Sequence, residues 1–301
     1  MSALQSLLAQ VPRPASKGHR SRGRAWASTL FSALCLLVCL SAWAPGLLGS
    51  DGSPVWRALH ARWAQGLVLS VLGGFYLALA RRRRGARARA RDNLTGVLLL
   101  AAGRADEAAA HYDRLAREET ASPLHRAVYL GNRGVVALVQ GEVALGRQLL
   151  AEALRSGQFR ADSSPFPGGY YAAWMARSHA LQGDLPTAHV YREEAAALLP
   201  PNRRATLLIA DAVMLLRSGT VTATVEAIEA SWMGAEGELA GHERRALRAL
   251  HAFALAQLGR EPEAEAVLAG LWPHVPNQLE YLGRDWPELG RFLRARTPSP
   301  A

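Results

Sequence analysis

Lysine is almost missing from this 301-residue chain: Lys17 stands alone among 35 basic residues, and the rest are arginine. That bias fits a high-GC genome and carries no chemistry of its own. Cysteine is nearly as scarce. Cys35 and Cys39 both lie inside one apolar run, which excludes a disulfide framework and a zinc-ligand spacing. Acid is missing from the first 91 residues, which hold 14 basic residues against Asp51, a net of +13. The remaining residues hold 21 basic against 24 acidic, a net of −3. The overall charge of +10 therefore belongs to the N-terminal region, and no folded domain has the positive stripe of a nucleic-acid binder. Catalytic signatures are missing as well: the chain has no Walker loop, no GxSxG and no GxGxxG. His242-Glu243-Arg244-Arg245-Ala246 opens like a zinc-protease helix but lacks the second histidine, and reads as a surface helix. Nothing points to an enzyme, a metal or a cofactor.

Long apolar runs are present in two places. Residues 25–44 carry no charge, and twenty helical residues span about 30 Å, the thickness of a hydrocarbon core. Residues 64–80 form a second run of seventeen, and Pro45, Gly46, Gly52 and Pro54 break the chain between the two. Trp26, Trp43, Trp56 and Trp63 stand near the ends, where interfacial aromatics belong. This pattern predicts a transmembrane hairpin over 25–80. Ala42-Trp43-Ala44 imitates a signal-peptide cleavage site, but Pro45 is poorly placed for cleavage.

The flanks set the topology. Arginine and lysine crowd a basic N-terminal segment, 1–24, and a juxtamembrane linker, 81–91, while the connecting loop has only Arg57 and Arg62. Both ends are expected in the cytoplasm of a bacterial inner membrane, with Arg81, Arg82, Arg83 and Arg84 at the lipid surface. Cys35 and Cys39 share one helix face and read as small hydrophobes. Gly66, Ser70 and Gly74 form a small-residue stripe that permits close helix packing.

From residue 92 the sequence turns to Ala/Leu-rich helical segments separated by glycine turns. Gly103, Gly141, Gly183, Gly219 and Gly259 recur at intervals of 38, 42, 36 and 40, the self-similarity of a helical solenoid. Seven residues before them stand Gly96, Gly134, Ala176, Ala212 and Ala252; five after stand Ala108, Gly146, Ala188, Thr224 and Ala264. Small residues there let two helices cross closely. Nine after stand Tyr112, Leu150, Arg192, Ile228 and Leu268. Pro186 and Pro262 suit a first helical turn, and Pro200 and Pro276 mark expected helix ends. In DWPELGRFLRAR, Asp285 as cap and Trp286, Leu289, Phe292 and Leu293 on one side suit a terminal capping helix.

This order of small, turn, small and large residues resembles the tetratricopeptide repeat (TPR) family over roughly 89–276. The spacing exceeds the family's usual period, the aromatic before the turn is missing, and the fourth unit matches least. The expected fold is all-α: a transmembrane hairpin, a TPR-like solenoid of about five helix pairs over 92–296 with a capping helix, and a disordered tail, 297–301.

The resemblance implies a concave groove lined by the first helix of each pair, used to bind a protein or peptide partner. Asn132 matches one asparagine of the family's carboxylate clamp, but the other clamp positions fall on Asn93, Val97, Tyr170 and Trp174, which departs from it. The third unit would instead present Tyr170, Trp174 and Arg177, an aromatic and cationic patch, unless the two rings pack under the loop at 160–169. That loop is the best candidate for a functional insertion. The expected function is a membrane-anchored scaffold. The alternative is an accessory subunit of a membrane enzyme or transport complex, contacted through the hairpin.

Overall fold

The computed structural model describes residues 74, 76, 88–118, 122–159, 165–271 and 279–296. The chain divides into two compact units, Met1–Ala90 and Arg91–Ala301. Gly74 and Tyr76, in the first unit, are helical and exposed. The two expected spans, the Arg81–Arg84 surface, both cysteines and the tail lie otherwise outside the described residues. No helix among the described residues is long and apolar enough to cross a membrane.

The second unit is helical throughout its described residues, with no strand. Its helices are α1 (helical over 91–101), α2 (Ala105–Arg117), α3 (Pro123–Gln140), α4 (Val143–Arg155), α5 (Pro165–Leu181), α6 (Leu185–Leu198), α7 (Ala205–Arg217), α8 (Val221–Glu238), α9 (Gly241–Gln257), α10 (Glu261–Ala269), α11 (Glu280–Arg284) and α12 (Pro287–Arg296). A short 3₁₀ turn, Pro201–Arg203, precedes α7.

Each of the five spaced glycines joins two helices, α1–α2 through α9–α10. All five have positive φ, from 76° at Gly259 to 84° at Gly141 and Gly183. The chain closes each turn the same way. The residue after the glycine donates its N–H to the carbonyl five positions back: Arg104 to Leu99, Glu142 to Ala137, Asp184 to His179, Thr220 to Leu215 and Arg260 to Leu255, all at 2.8–3.0 Å. This is the Schellman closure, which satisfies carbonyls that the helix end would orphan, and a side chain at the left-handed position would be strained.

The small positions flanking these turns are all buried. Gly134 on α3 and Gly146 on α4 meet so closely that a Cβ on either would come within about 3 Å of the other's carbonyl oxygen. Tyr112, Leu150, Ile228 and Leu268 fill the space between paired helices. Arg192, the odd member of that register, reaches out to Asp211 on α7 at 3.0 Å.

The helices form two layers. First helices pack on one another (α3 on α5, α5 on α7, α7 on α9), while α4, α6 and α8 each pack on their own partner and on the first helix of the next pair. A helical-repeat solenoid has this neighbour-to-neighbour packing.

Prolines act as expected at Pro186 and Pro262, in the first turns of α6 and α10. Helix α6 ends at Leu198, before Pro200. Helix α10 stops at Ala269, well before Pro276, with Gly270 as its C-cap. The loop expected over 160–169 is also partly helical: 165–169 opens α5, whose prolines sit where an N–H has no intrahelical partner.

The last pair, α11–α12, covers more than the end of the stack. Trp286, Leu289, Phe292 and Leu293 are buried as expected. The pair packs through α11 on α3 and through α12 on α9. Arg284 donates to the Gln140 carbonyl at 2.8 Å, closing over Gly141, where a methyl would overlap its guanidinium. Arg217 bonds the carbonyls of Leu181 and Asp285 and stacks on Trp286, its Cζ 4.3 Å from the ring centroid. Asp285 does not cap α12; its carboxylate accepts from Gln182 at 3.3 Å, and the Trp286 carbonyl receives the first helical bond of α12 from Gly290.

Candidate functional site

All five first helices contribute to one cavity of about 270 Å³. Asn93, Val97 and Leu100 come from α1; Val128, Asn132 and Val135 from α3; Tyr170 and Tyr171 from α5; Thr206 from α7; and His242 and Glu243 from α9. Tyr112 reaches in from α2, Glu238 from the end of α8, and Phe166 and Arg203 complete the wall. Such a volume exceeds the roughly 150 Å³ of an engineered cavity that admits benzene, so a large side chain fits.

One side of the cavity is held by a polar network. Asn132 Nδ2 donates to Asn93 Oδ1 at 2.5 Å, the Tyr171 hydroxyl lies between two acceptors, the Val128 carbonyl at 2.8 Å and Asn132 Oδ1 at 2.9 Å, and the Tyr112 hydroxyl donates to the Asn93 carbonyl at 3.1 Å. These bonds fix the amides across α1, α3 and α5. Burial raises the Tyr171 hydroxyl well above the ordinary tyrosine value, so it remains a donor.

The opposite side holds charge out of water. Glu243 is 3 % exposed and His242 6 %. The Glu243 carboxylate accepts the Ala240 N–H at 3.2 Å; Tyr170 and Trp174 lie near it, but its second oxygen meets neither in full hydrogen-bond geometry, and neither ring nitrogen of His242 has a partner. Burial pushes the Glu243 carboxyl above its usual value, against the pull of the Ala240 N–H, Arg177, Tyr170 and Trp174. Burial also drives the His242 imidazole down to about 3, helped by the charges of Arg177 and Arg245, so the ring is neutral near pH 7. His242 stacks on Trp174, with centroids 6.0 Å apart.

The four partner-binding candidates divide between two places. Asn132 and Tyr170 line the cavity. Trp174 and Arg177 are 2 % and 3 % exposed and lie beneath the C-terminal pair. The Arg177 guanidinium sits between rings, 4.3 Å from the Trp174 centroid and 4.9 Å from Tyr281. Burial pulls it down to about 10, opposed by Glu243. Trp174 therefore packs under Tyr281 and His242, and neither it nor Arg177 presents a surface to a partner.

The surface-helix reading of His242–Ala246 is overturned at its start. His242 lies one turn before the buried Ala246, so it shares the packed face of α9. That periodicity was the available signal for it; Glu238, Arg203 and Phe166 had none. Among the described residues, no group of three His, Cys, Asp or Glu side chains is placed to hold a metal ion.

Compared with known proteins, no family model, no curated protein and no solved structure matches the chain, so the site's chemistry is read from its own residues.

Proposed function

We propose that the chain is a non-catalytic, TPR-like scaffold, anchored by an N-terminal transmembrane hairpin at the cytoplasmic face of a bacterial inner membrane. Its concave side takes a short segment of a protein partner. The observation that carries this reading is the convergence of all five first helices on one cavity with both aromatic and polar walls. A packed stack needs no such space, since interiors otherwise fill to near-crystalline density. Anchoring supplies the second half of the function: it concentrates whatever binds near the membrane surface.

The test fills the cavity from two sides. Val97→Trp on α1 and Thr206→Trp on α7 each place an indole into it, at partly exposed positions the fold tolerates. The full-length chain is crosslinked in its own cells, and the partners recovered are compared with those of the unmodified chain. Both variants are expected to lose a specific partner while keeping the unmodified Tm. Full retention of partners by two folded variants sinks the reading. Loss of partners only when Gly66, Ser70 and Gly74 are replaced by leucine would transfer the function to the hairpin.

A further inference from the structure

Among the described residues that line the cavity, the unpartnered buried side-chain atoms are mainly acceptors. Glu238 contributes a buried carboxylate oxygen without a hydrogen-bond partner, Glu243 contributes another, and His242 contributes two bare ring nitrogens. With the carboxylates ionised and the imidazole neutral, these groups offer three acceptors and one donor. A buried acceptor gains most from a charged donor, so a compact head that donates several hydrogen bonds is the group this end of the cavity favours.

The remaining wall is aromatic. Tyr112, Phe166, Tyr170 and Tyr171 face the same space. Phe166 and Tyr170 stack with centroids 6.2 Å apart, and Phe166 already carries the Arg203 guanidinium, Cζ 5.4 Å from its centroid. Aromatic faces attract cations, and a planar guanidinium combines stacking with five donors, which an ammonium does not. Arg203 is the one arginine or lysine among the described residues of the wall, and it is exposed. Burial keeps His242 neutral and able to accept, with the charges of Arg177 and Arg245 behind the wall adding to that effect.

We propose that this cavity is a recognition pocket for an arginine side chain carried by the partner segment. The guanidinium meets Glu243, Glu238 and His242, and its aliphatic stem lies along Val97, Val128 and the tyrosine rings. The inference rests on the scaffold reading and names what the scaffold grips.

The experiment titrates the full-length chain with four blocked amino acids: N-acetyl-arginine amide, its citrulline counterpart of equal shape without charge, and the lysine and leucine counterparts. Binding is read by saturation-transfer NMR and by ligand-induced thermal shift up to about 10 mM, where a site with a millimolar Kd is mostly filled. The arginine probe is expected to bind at least about ten-fold tighter than each of the others. Glu243→Gln, which keeps the bond to Ala240, and Glu238→Gln at a half-buried position are each expected to weaken it by about ten-fold. Lack of arginine binding, or equal binding of citrulline, lysine or leucine, overturns the inference. If the arginine probe fails while Val97→Trp and Thr206→Trp still abolish partner capture, the pocket is wrong and the scaffold stands. If capture survives both tryptophans, the scaffold itself falls.

Discussion

Replacing Gly134 by alanine should destabilise the second unit, although glycine-to-alanine changes inside helices ordinarily stabilise by about 0.5–1 kcal/mol. The difference lies in what the new methyl meets. A Cβ built on Gly134 stands 2.9 Å from the Gly146 carbonyl oxygen, 2.9 Å from Leu150 Cγ and 3.1 Å from the Leu150 backbone nitrogen. Carbon contacts relax near 3.5–4.0 Å, so α4 must retreat by roughly 0.5–1 Å, and a gap of that size forfeits a quarter to a half of each dispersion well it opens. Overpacking of this kind costs about 1–3 kcal/mol. After the propensity gain, the net loss is about 1–2 kcal/mol, a fall in Tm of roughly 2–8 °C for a unit of this size. Gly234 on α8 is the control, because nothing stands within 4 Å of its would-be Cβ. Gly234→Ala should raise Tm by a few degrees. Thermal melts followed by far-UV circular dichroism decide the matter. A Gly134→Ala variant that melts at or above the unmodified chain refutes the close approach of α3 and α4.

Further outcomes follow from the buried charges and the C-terminal pair. His242 has a folded value of about 3 against an unfolded value of 6.5, so the unfolded chain binds the extra proton between these limits and stability falls as pH drops through that window. At about pH 4.5, His242→Gln should recover about 2 kcal/mol relative to the unmodified chain, compared with their difference at about pH 7, in urea unfolding. Arg177→Met removes a buried guanidinium whose charge favours the Glu243 carboxylate and should lower the denaturant midpoint. Adding Glu243→Gln should restore most of that loss in a double-mutant cycle; additive effects would show that the two do not interact. Arg284→Met removes the bond to Gln140 and the cover over Gly141, and should cost about 1 kcal/mol by denaturant midpoint, discounted because the bond is exposed.

The repeat was legible because its physics is local. A glycine in a left-handed turn, small residues seven before and five after it, and proline in the first turn of α6 and α10 each answer to backbone geometry, so their spacing survives without knowledge of neighbours. Even the fourth pair, the weakest match, closes around Gly219 like the others. The site was legible in part. Asn132 and Tyr170 could be placed on the inner layer by the register that the repeat resemblance supplies. Trp174 and Arg177 share that register, but α11 lies across them, and no local pattern announces that Tyr281 returns to cover Arg177. Glu243 was obscured by charge: in the run HERRA a glutamate reads as solvent-facing, and its burial depends on Ala240, Tyr170 and Arg177, which only the packing of α5 against α9 brings near it. The end of α10 escaped for a related reason, since Pro276 permits a longer helix than Gly270 allows.

Site-specific photo-crosslinking tests the binding role of the inner layer most directly. A photoreactive amino acid is placed at Tyr170 on the cavity wall, or at Glu193 on the exposed face of α6, in the full-length chain in its own cells. Adducts to one defined partner segment from position 170, lost when Thr206→Trp is added, and none from position 193 are expected. Adducts from position 193 with none from position 170 would contradict a partner held against the first helices.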